Sequence, residues 1–456
     1  MTGKPAILHL GLGAFHRAHQ AAFLQNLIDA GDDSWQLVAG NIRPGGEDTI
    51  AALIDQGGAY TLETVAADGA RDYRRINAFS AVVPYAPGII ELLRAGADPQ
   101  TRIISFTVTE AGYYLDAHDR LDATAPDMSA DLDAFERGLA GCTIYGALAA
   151  ILRRRRAAGA GAVTLLCCDN LRSNGARSRG GLLQFLELAG ARELRDWVEQ
   201  HTTSPNSMVD RITPRPPVEL PDRVRAATMR DDRAPVMAER FVQWVIEDDF
   251  RNGRPAWEDA GVEFVASVLA HEEAKIRILN ASHSAIAWAG TLAGCRFIHE
   301  GVADPRIRRI VHDYVSDDVI PCLSPSPLDL ERYRDTVLER FGNGGIADTN
   351  ARVAADSPAK LRGFVIPTIR DRLARGESIA AVAMLPALFL ATLRHRAGAD
   401  ALAPADPASL AIARAPDPVL ALCADESLWG GLAGDARIVA EIRRACERVT
   451  TQFERA

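Results

Sequence analysis

The sequence predicts an α/β fold, with a parallel-sheet half over residues 1–210 followed by a mainly α-helical half over residues 211–456. Three observations carry this reading. Through the first half, short apolar or β-branched runs alternate with apolar residues at helix spacing, the pattern of strands joined by crossover helices. The proline-rich stretch Thr213-Pro214-Arg215-Pro216-Pro217 then interrupts the chain. Beyond it strand-like runs are few, and helical periodicity dominates from Glu272 onward.

Taken in order, Ala6–Leu10 is an apolar run that predicts the first strand and ends in Gly11-Leu12-Gly13. Ala18, Ala21, Ala22, Leu24 and Leu27 follow at helix spacing. Residues 35–39, 103–108 and 163–168 are further strand candidates, the last two ending at Thr109-Glu110 and Asp169-Asn170. Between these two, residues 144–156 read as an amphipathic helix whose arginines, Arg153 to Arg156, form a solvated end. Residues 262–268 are the best strand candidate of the second half, and the Ala/Pro-rich stretch 397–408 reads as surface. In parallel sheets ligands collect at the carboxyl ends of strands. Here those ends carry Gly11 to Gly13, Asn41, Thr109-Glu110 and Asp169-Asn170.

With 48% hydrophobic and 24% charged residues, the chain has the composition of a folded protein, not of a disordered or fibrous one. Fifty-one basic against 60 acidic residues leave a formal net charge of −9, which disfavours nucleic acid and membrane surfaces as partners. Seven cysteines are scattered without a C-x-x-C pair, so neither a zinc knuckle nor a redox pair is supported. Cys167 and Cys168 lie in an apolar run and are expected to fill the core on opposite faces of a strand. The first apolar run is too short for a signal sequence. The longest, residues 379–393, is broken by Pro386 and falls short of the roughly 20 residues that span a bilayer. The expectation is a reduced, cytoplasmic, soluble protein, either monomeric or a small homo-oligomer.

Gly11-Leu12-Gly13 follows a strand and opens a helix, the context of a dinucleotide-binding turn. Glycines there let the backbone approach a pyrophosphate at a helix start. An ordinary strand-to-helix turn fits equally well, since His16 occupies the place of a third glycine. No acid ends the second strand; Asn41, Ile42 and Arg43 stand there, which leaves NAD and NADP both open.

On an α-helix, at about 100° per residue, Lys275, Glu272, His283 and Asn280 fall near 0°, 60°, 80° and 140°. Ile276, Leu279, Ile286 and Ala287 share that arc, so the polar groups are interleaved with a buried stripe. Buried polar groups cost free energy unless paired. Alcohol dehydrogenation needs a base for the hydroxyl proton and donors for the developing alkoxide. Lys275 can be that base, Asn280 a donor and His283 an orienting group. A core histidine beside a snorkelling lysine is the other reading of the same spacing.

Gly11-Leu12-Gly13-Ala14-Phe15-His16-Arg17-Ala18-His19-Gln20 resembles the N-terminal signature of the polyol-specific long-chain dehydrogenases, the mannitol dehydrogenase family. Lys275, Asn280 and His283 match its K-x4-N-x2-H signature, and Cys168-Asp169-Asn170 with Asn174-Gly175 its C-D-N-x3-N-G strand end. Met208 to Pro214 and the pair Arg352 and Lys360 match as well. The resemblance implies a Rossmann-type domain, a helical substrate and catalytic domain, NAD as cofactor and no metal. It implies Lys275 as general base, Asn170 and Asn280 as groups polarising the reacting oxygen, His283 on substrate hydroxyls and Glu272 gating proton exchange. Asp210, Arg352 and Lys360 would contact the polyol or ketose. Gly11, Gly13, Phe15, His16, Arg17, Asn41, Arg43, Thr109 and Glu110 would line the cofactor.

Two departures fall in the substrate stretch. Asp356-Ser357-Pro358-Ala359-Lys360 lacks the family's glycine after the aspartate, and Phe341-Gly342-Asn343-Gly344-Gly345 replaces F-x-N-P. Local strings such as Phe106 to Tyr114 look nearest the family's arabinitol-oxidising branch, which implies conversion of D-arabinitol at C4 to D-xylulose. Oxidation of D-mannitol at C2 to D-fructose is the second expectation, and uronate reduction the third.

Overall fold

A computed structural model describes residues 3–116, 118–355, 357–397 and 407–454; Asp356 and nearly all of the 397–408 stretch lie outside the described residues. The chain forms two compact units, Met1–Val65 with Arg71–Leu269, and Ala66–Ala70 with Ala270–Ala456.

The first unit is built on a six-stranded sheet of β1 (Ala6–Leu10), β2 (Gln36–Gly40), β5 (Phe79–Val83), β6 (Thr101–Phe106), β7 (Val163–Cys167) and β8 (Thr202–Thr203). Its order is β5-β2-β1-β6-β7-β8 and every pairing is parallel, with the order reversing beside β1. β1, β2, β6 and β7 are buried on both sides, so they read as nearly continuous apolar runs. Their side chains nevertheless alternate between two cores. Ile7, Leu37, Ile103, Leu166 and Cys168 enter one, while Leu8, Val38, Ile104, Leu165 and Cys167 enter the other. The adjacent thiols therefore do fill opposite faces, both fully buried.

Two small sheets complete the unit. β3 (Tyr60–Val65) and β4 (Arg71–Ile76) pair antiparallel, with β10 (Val236–Glu239) parallel to β3. β9 (Ser207–Asp210) pairs antiparallel with β11 (Gln243–Glu247), which carries β12 (Glu263–Val265). These pairings correct the expected boundary near residue 210. Residues 211–269 give their strands to the first unit, so the chain divides at Leu269.

The run Arg153 to Arg156 also departs from a solvated helix end. Arg154 and Arg156 are exposed, but Arg155 is fully buried and donates to the carbonyls of Gly96, Asp98, Ala160, Gly161 and Ala162. Arg153 lies 4.3 Å over the Phe135 ring.

The second unit is helical and has one core, in which helix Ala281–Leu292 packs on helix Met384–Ala397 and that in turn on helix Ala436–Val449. Pro386 sits in the first turn of its helix, where its missing N–H is tolerated. Among the described residues no helix is long and apolar enough to cross a membrane.

Candidate functional site

In the first unit the glycine turn joins β1 to helix α1 (Ala14–Ala18), which is followed by α2 (Gln20–Asp29). Gly11 has φ +101°, and an added Cβ would stand 2.0 Å from the Thr107 carbonyl oxygen. Gly13 is different. It caps α1 without a side-chain hydrogen bond at φ −94°, and a Cβ there would meet nothing closer than the Gly11 oxygen at 3.9 Å. Asn41, just past β2, holds the turn: its Oδ1 accepts from the Leu12 N–H at 2.7 Å and its Nδ2 donates to the Gly45 carbonyl.

His16 and Arg17 were expected at the cofactor, but their side chains belong to the interior. The His16 ring stacks flat on His9 of β1, with centroids 3.4 Å apart and planes 10° apart. A flat ring thus achieves the close helix-to-strand approach that a third glycine would otherwise allow. Burial pushes His9 down to about 3 and His16 well below the usual histidine range, so both are neutral. Arg17 donates to the Ala234 carbonyl and lies 5.4 Å over the Tyr60 ring. Phe15 is only partly buried and stacks on His19. Arg43 is half exposed, donating to the Cys142 carbonyl and the Tyr114 hydroxyl, 3.9 Å from Asp127.

Asp169 ties the ends of β6 and β7 together. Its carboxylate accepts from the N–H groups of Val108 and Thr109 and from the Tyr113 hydroxyl. Burial raises its pKa, and these donors oppose that. Thr109 is held at φ +71°, an unusual conformation for a β-branched residue, and it and Glu110 are exposed beyond β6. Asn174, fully buried, donates to the carbonyls of Cys167, Asp169 and Ser207 and accepts from the Ser207 N–H. It fixes Asn170, exposed at the β7 end, relative to β9, whose last residue is the buried Asp210.

In the second unit, helix Leu269–Ala274 runs into a π-helical turn, Lys275–Asn280, and continues as Ala281–Leu292. A regular α-helix was expected; the turn adds a residue and shifts the phase of everything after it. Such turns frequently mark functional sites because they re-aim side chains. Glu272 and Lys275 are buried, while Asn280 and His283 are partly exposed. Two more π turns, Tyr314–Val319 and Leu361–Val365, pack on the first. The Tyr314 hydroxyl donates to the Arg277 carbonyl inside it, and Arg277 pairs with Glu273 and Asp371.

The same unit brings His283 and Arg352 to Asp348, with Lys360 near His283. The Arg352 guanidinium grips both Asp348 oxygens, with Nε donating at 2.6 Å. His283 Nε2 lies 3.3 Å from Asp348 Oδ2, and its ring stacks on Phe341 at 4.6 Å. Lys360 donates to the Val353 carbonyl. Burial alone would raise the Asp348 carboxyl, but His283 and Arg352 outweigh it and hold it at about 2. Burial lowers His283 more than Asp348 raises it, which leaves the imidazole neutral. Sequence reasoning missed Asp348, and it placed Asp169 and Asn174 at the strand end without their structural roles. The four-residue spacing of Asp348 and Arg352 was a usable signal for the first.

The whole length of both units matches known proteins. Residues 5–259 match the mannitol dehydrogenase Rossmann domain, and residues 267–450 match the mannitol dehydrogenase C-terminal domain. The chain belongs to the mannitol dehydrogenase family. Among members of this family, it is 55% identical to D-arabinitol 4-dehydrogenase of Ralstonia nicotianae over 98% of this chain and 97% of that one. It is 48% identical to D-arabinitol 4-dehydrogenase of Klebsiella pneumoniae over 99% of each. The Pseudomonas fluorescens mannitol 2-dehydrogenase, solved as a ternary complex with NAD and D-mannitol, superposes with a TM-score of 0.86 at 34% identity, covering 100% of this chain and 94% of that one.

Proposed function

We propose that this family member is a polyol dehydrogenase that uses NAD, without a metal, to oxidise D-arabinitol at C4 to D-xylulose. One observation carries the substrate: the near full-length identity of 55% to a D-arabinitol 4-dehydrogenase. Gly13 supports the cofactor. Nothing in the protein's own packing requires a glycine there, and the space a side chain would fill, in front of an uncapped helix start, suits a pyrophosphate. The backbone at Gly11, Gly13 and Phe15, with Thr109 and Glu110, would hold NAD, while Asn41, His16 and Arg17 shape the turn from behind. Arg43 is engaged by Cys142, Tyr114 and Asp127, which argues against its serving a 2′-phosphate.

NAD, when bound, supplies the hydride acceptor for the carbinol carbon. The hydroxyl proton passes to Lys275 Nζ, a buried amine at the start of the π turn. Amide N–H groups of Asn170 and Asn280 stabilise the oxygen as negative charge develops on it. Glu272, one turn before Lys275, passes the proton onward. Asp210, His283, Arg352 and Lys360 hold the remaining hydroxyls.

The test is cofactor reduction by the purified protein with D-arabinitol, D-mannitol, D-sorbitol and xylitol, each with NAD and NADP, with and without chelator. The expected result is fastest NAD reduction on D-arabinitol, unaffected by chelator. Lys275→Ala should lower turnover by about 10² or more while NAD affinity stays unchanged. Preference for D-mannitol would replace the substrate, loss of activity on chelation would remove metal independence, and turnover retained in Lys275→Ala would remove the base.

A further inference from the structure

The segment that carries Asp348 is pinned on both sides. The Ile298 N–H donates to the Asp348 carbonyl at 2.9 Å, the Asn350 N–H donates to the Arg296 carbonyl at 3.0 Å, and Phe297 and Thr349 form a β-bridge. Ala347, immediately before, is held at φ +52°. The side chain of Asp348 is 7% exposed, whereas that of Arg352 is 62% exposed. A rigid, buried carboxylate therefore braces an outward-facing guanidinium.

The same carboxylate meets the ring of His283. Stacking on Phe341 sets the ring plane, and Nε2 lies 3.3 Å from Asp348 Oδ2, close enough to feel its charge but outside hydrogen-bond geometry. A neutral imidazole carries one proton, on either nitrogen. On Nε2 that proton faces a carboxylate oxygen; a lone pair there would face the same negative charge. The charged groups facing the ring are Asp348, Arg352 and Lys360. Among the described residues Nδ1 accepts no hydrogen bond, so its lone pair is available.

We infer that Asp348 is the positioning residue of the polyol-binding set, fixing the Nε2–H tautomer of His283 so that Nδ1 accepts a hydrogen bond from a substrate hydroxyl while Arg352 donates beside it. The assignment rests on the polyol reading above. It makes the substrate atom at His283 an O–H group and not a carbonyl, because only a hydroxyl can donate to Nδ1.

Asp348→Asn keeps the size of the side chain but lets either amide atom face the ring and removes the charge that holds Arg352. The expected result is a polyol KM raised about tenfold or more, with kcat within about threefold and the NAD KM unchanged. A second readout needs no turnover. In protein labelled with 15N-histidine, the His283 signals, identified by their loss in His283→Gln, should show a protonated Nε2 and a bare Nδ1, and a tautomer mixture in Asp348→Asn. A proton on Nδ1 in the wild type overturns the inference. So does an Asp348→Asn variant that loses thermal stability yet keeps its polyol KM. If the wild type oxidises no polyol, the polyol reading fails, and the tautomer measurement still decides the Asp348–His283 arrangement.

Discussion

Two glycines two positions apart do different work. At Gly11 the backbone conformation and the Thr107 oxygen both exclude a side chain, so the requirement is internal to the fold. At Gly13 the protein leaves room, and under the proposed function any requirement for glycine is the cofactor's. Gly11→Ala should therefore destabilise the protein by about 2 kcal/mol or more, from backbone strain plus the clash with a main-chain atom. Gly13→Ala should leave stability within about 0.5 kcal/mol of the parent, since a surface change that touches nothing does little. Its effect should appear as weaker NAD binding. Urea unfolding and titration of NAD against protein fluorescence check the pair together. Equal stability losses in both variants would show that Gly13, too, is a folding residue.

Elements differ in how much of themselves they write into the sequence. Strands β1, β2, β6 and β7 were readable because both faces are buried, which makes each a bare apolar run. β4 was not. Its sequence, Arg71-Asp72-Tyr73-Arg74-Arg75-Ile76, is that of an edge strand, and its partner β3 gains β10 from more than 150 residues away, which no local pattern records. The Lys275–Asn280 turn was legible as a polar set within an apolar stripe but not as a π turn, because 3.6-residue periodicity cannot show a one-residue insertion. Asp348 escaped because it acts from an irregular segment, and only its four-residue spacing from Arg352 is local, its other partner His283 being distant in sequence. Arg155 escaped because a run of four arginines looks alike from outside. It shows how one element end is fixed: a single guanidinium satisfies carbonyls around the Ile144–Ala157 helix and the turn into β7. Arg155→Ala leaves those acceptors buried and unpaired and should cost about 3 kcal/mol. Arg154→Ala, on the exposed side, should stay within about 0.5 kcal/mol. A similar midpoint for the two variants in urea would refute that assignment.

For the molecule as a whole, buried neutral histidines set the response to acid. His9 and His16 in the first unit and His283 in the second all have native pKa values below the unfolded value, burial being the main cause in each. The stability they contribute is complete above the unfolded pKa near 6.5 and is lost as pH falls towards the native value, because the unfolded chain takes up protons that the folded chain cannot. For His9, with a native value of about 3, the loss between pH 6.5 and pH 5 is about 2 kcal/mol, at roughly 1.4 kcal/mol per unit. Asp348, held at about 2, adds to the loss only below the ordinary carboxylate range, and Asp169, raised by burial, opposes it. Stability should therefore be greatest at or above neutral pH and fall steadily from 6.5 to 5, before most carboxylates titrate. Urea unfolding of the intact protein at pH 7.5, 6 and 5 measures this slope. His9→Asn, which has no proton to exclude, should unfold at lower urea at every pH but with a visibly flatter dependence. A slope unchanged in His9→Asn would mean that acid acts elsewhere, and the stacked pair beneath the glycine turn would then be a packing device without a role in the pH response.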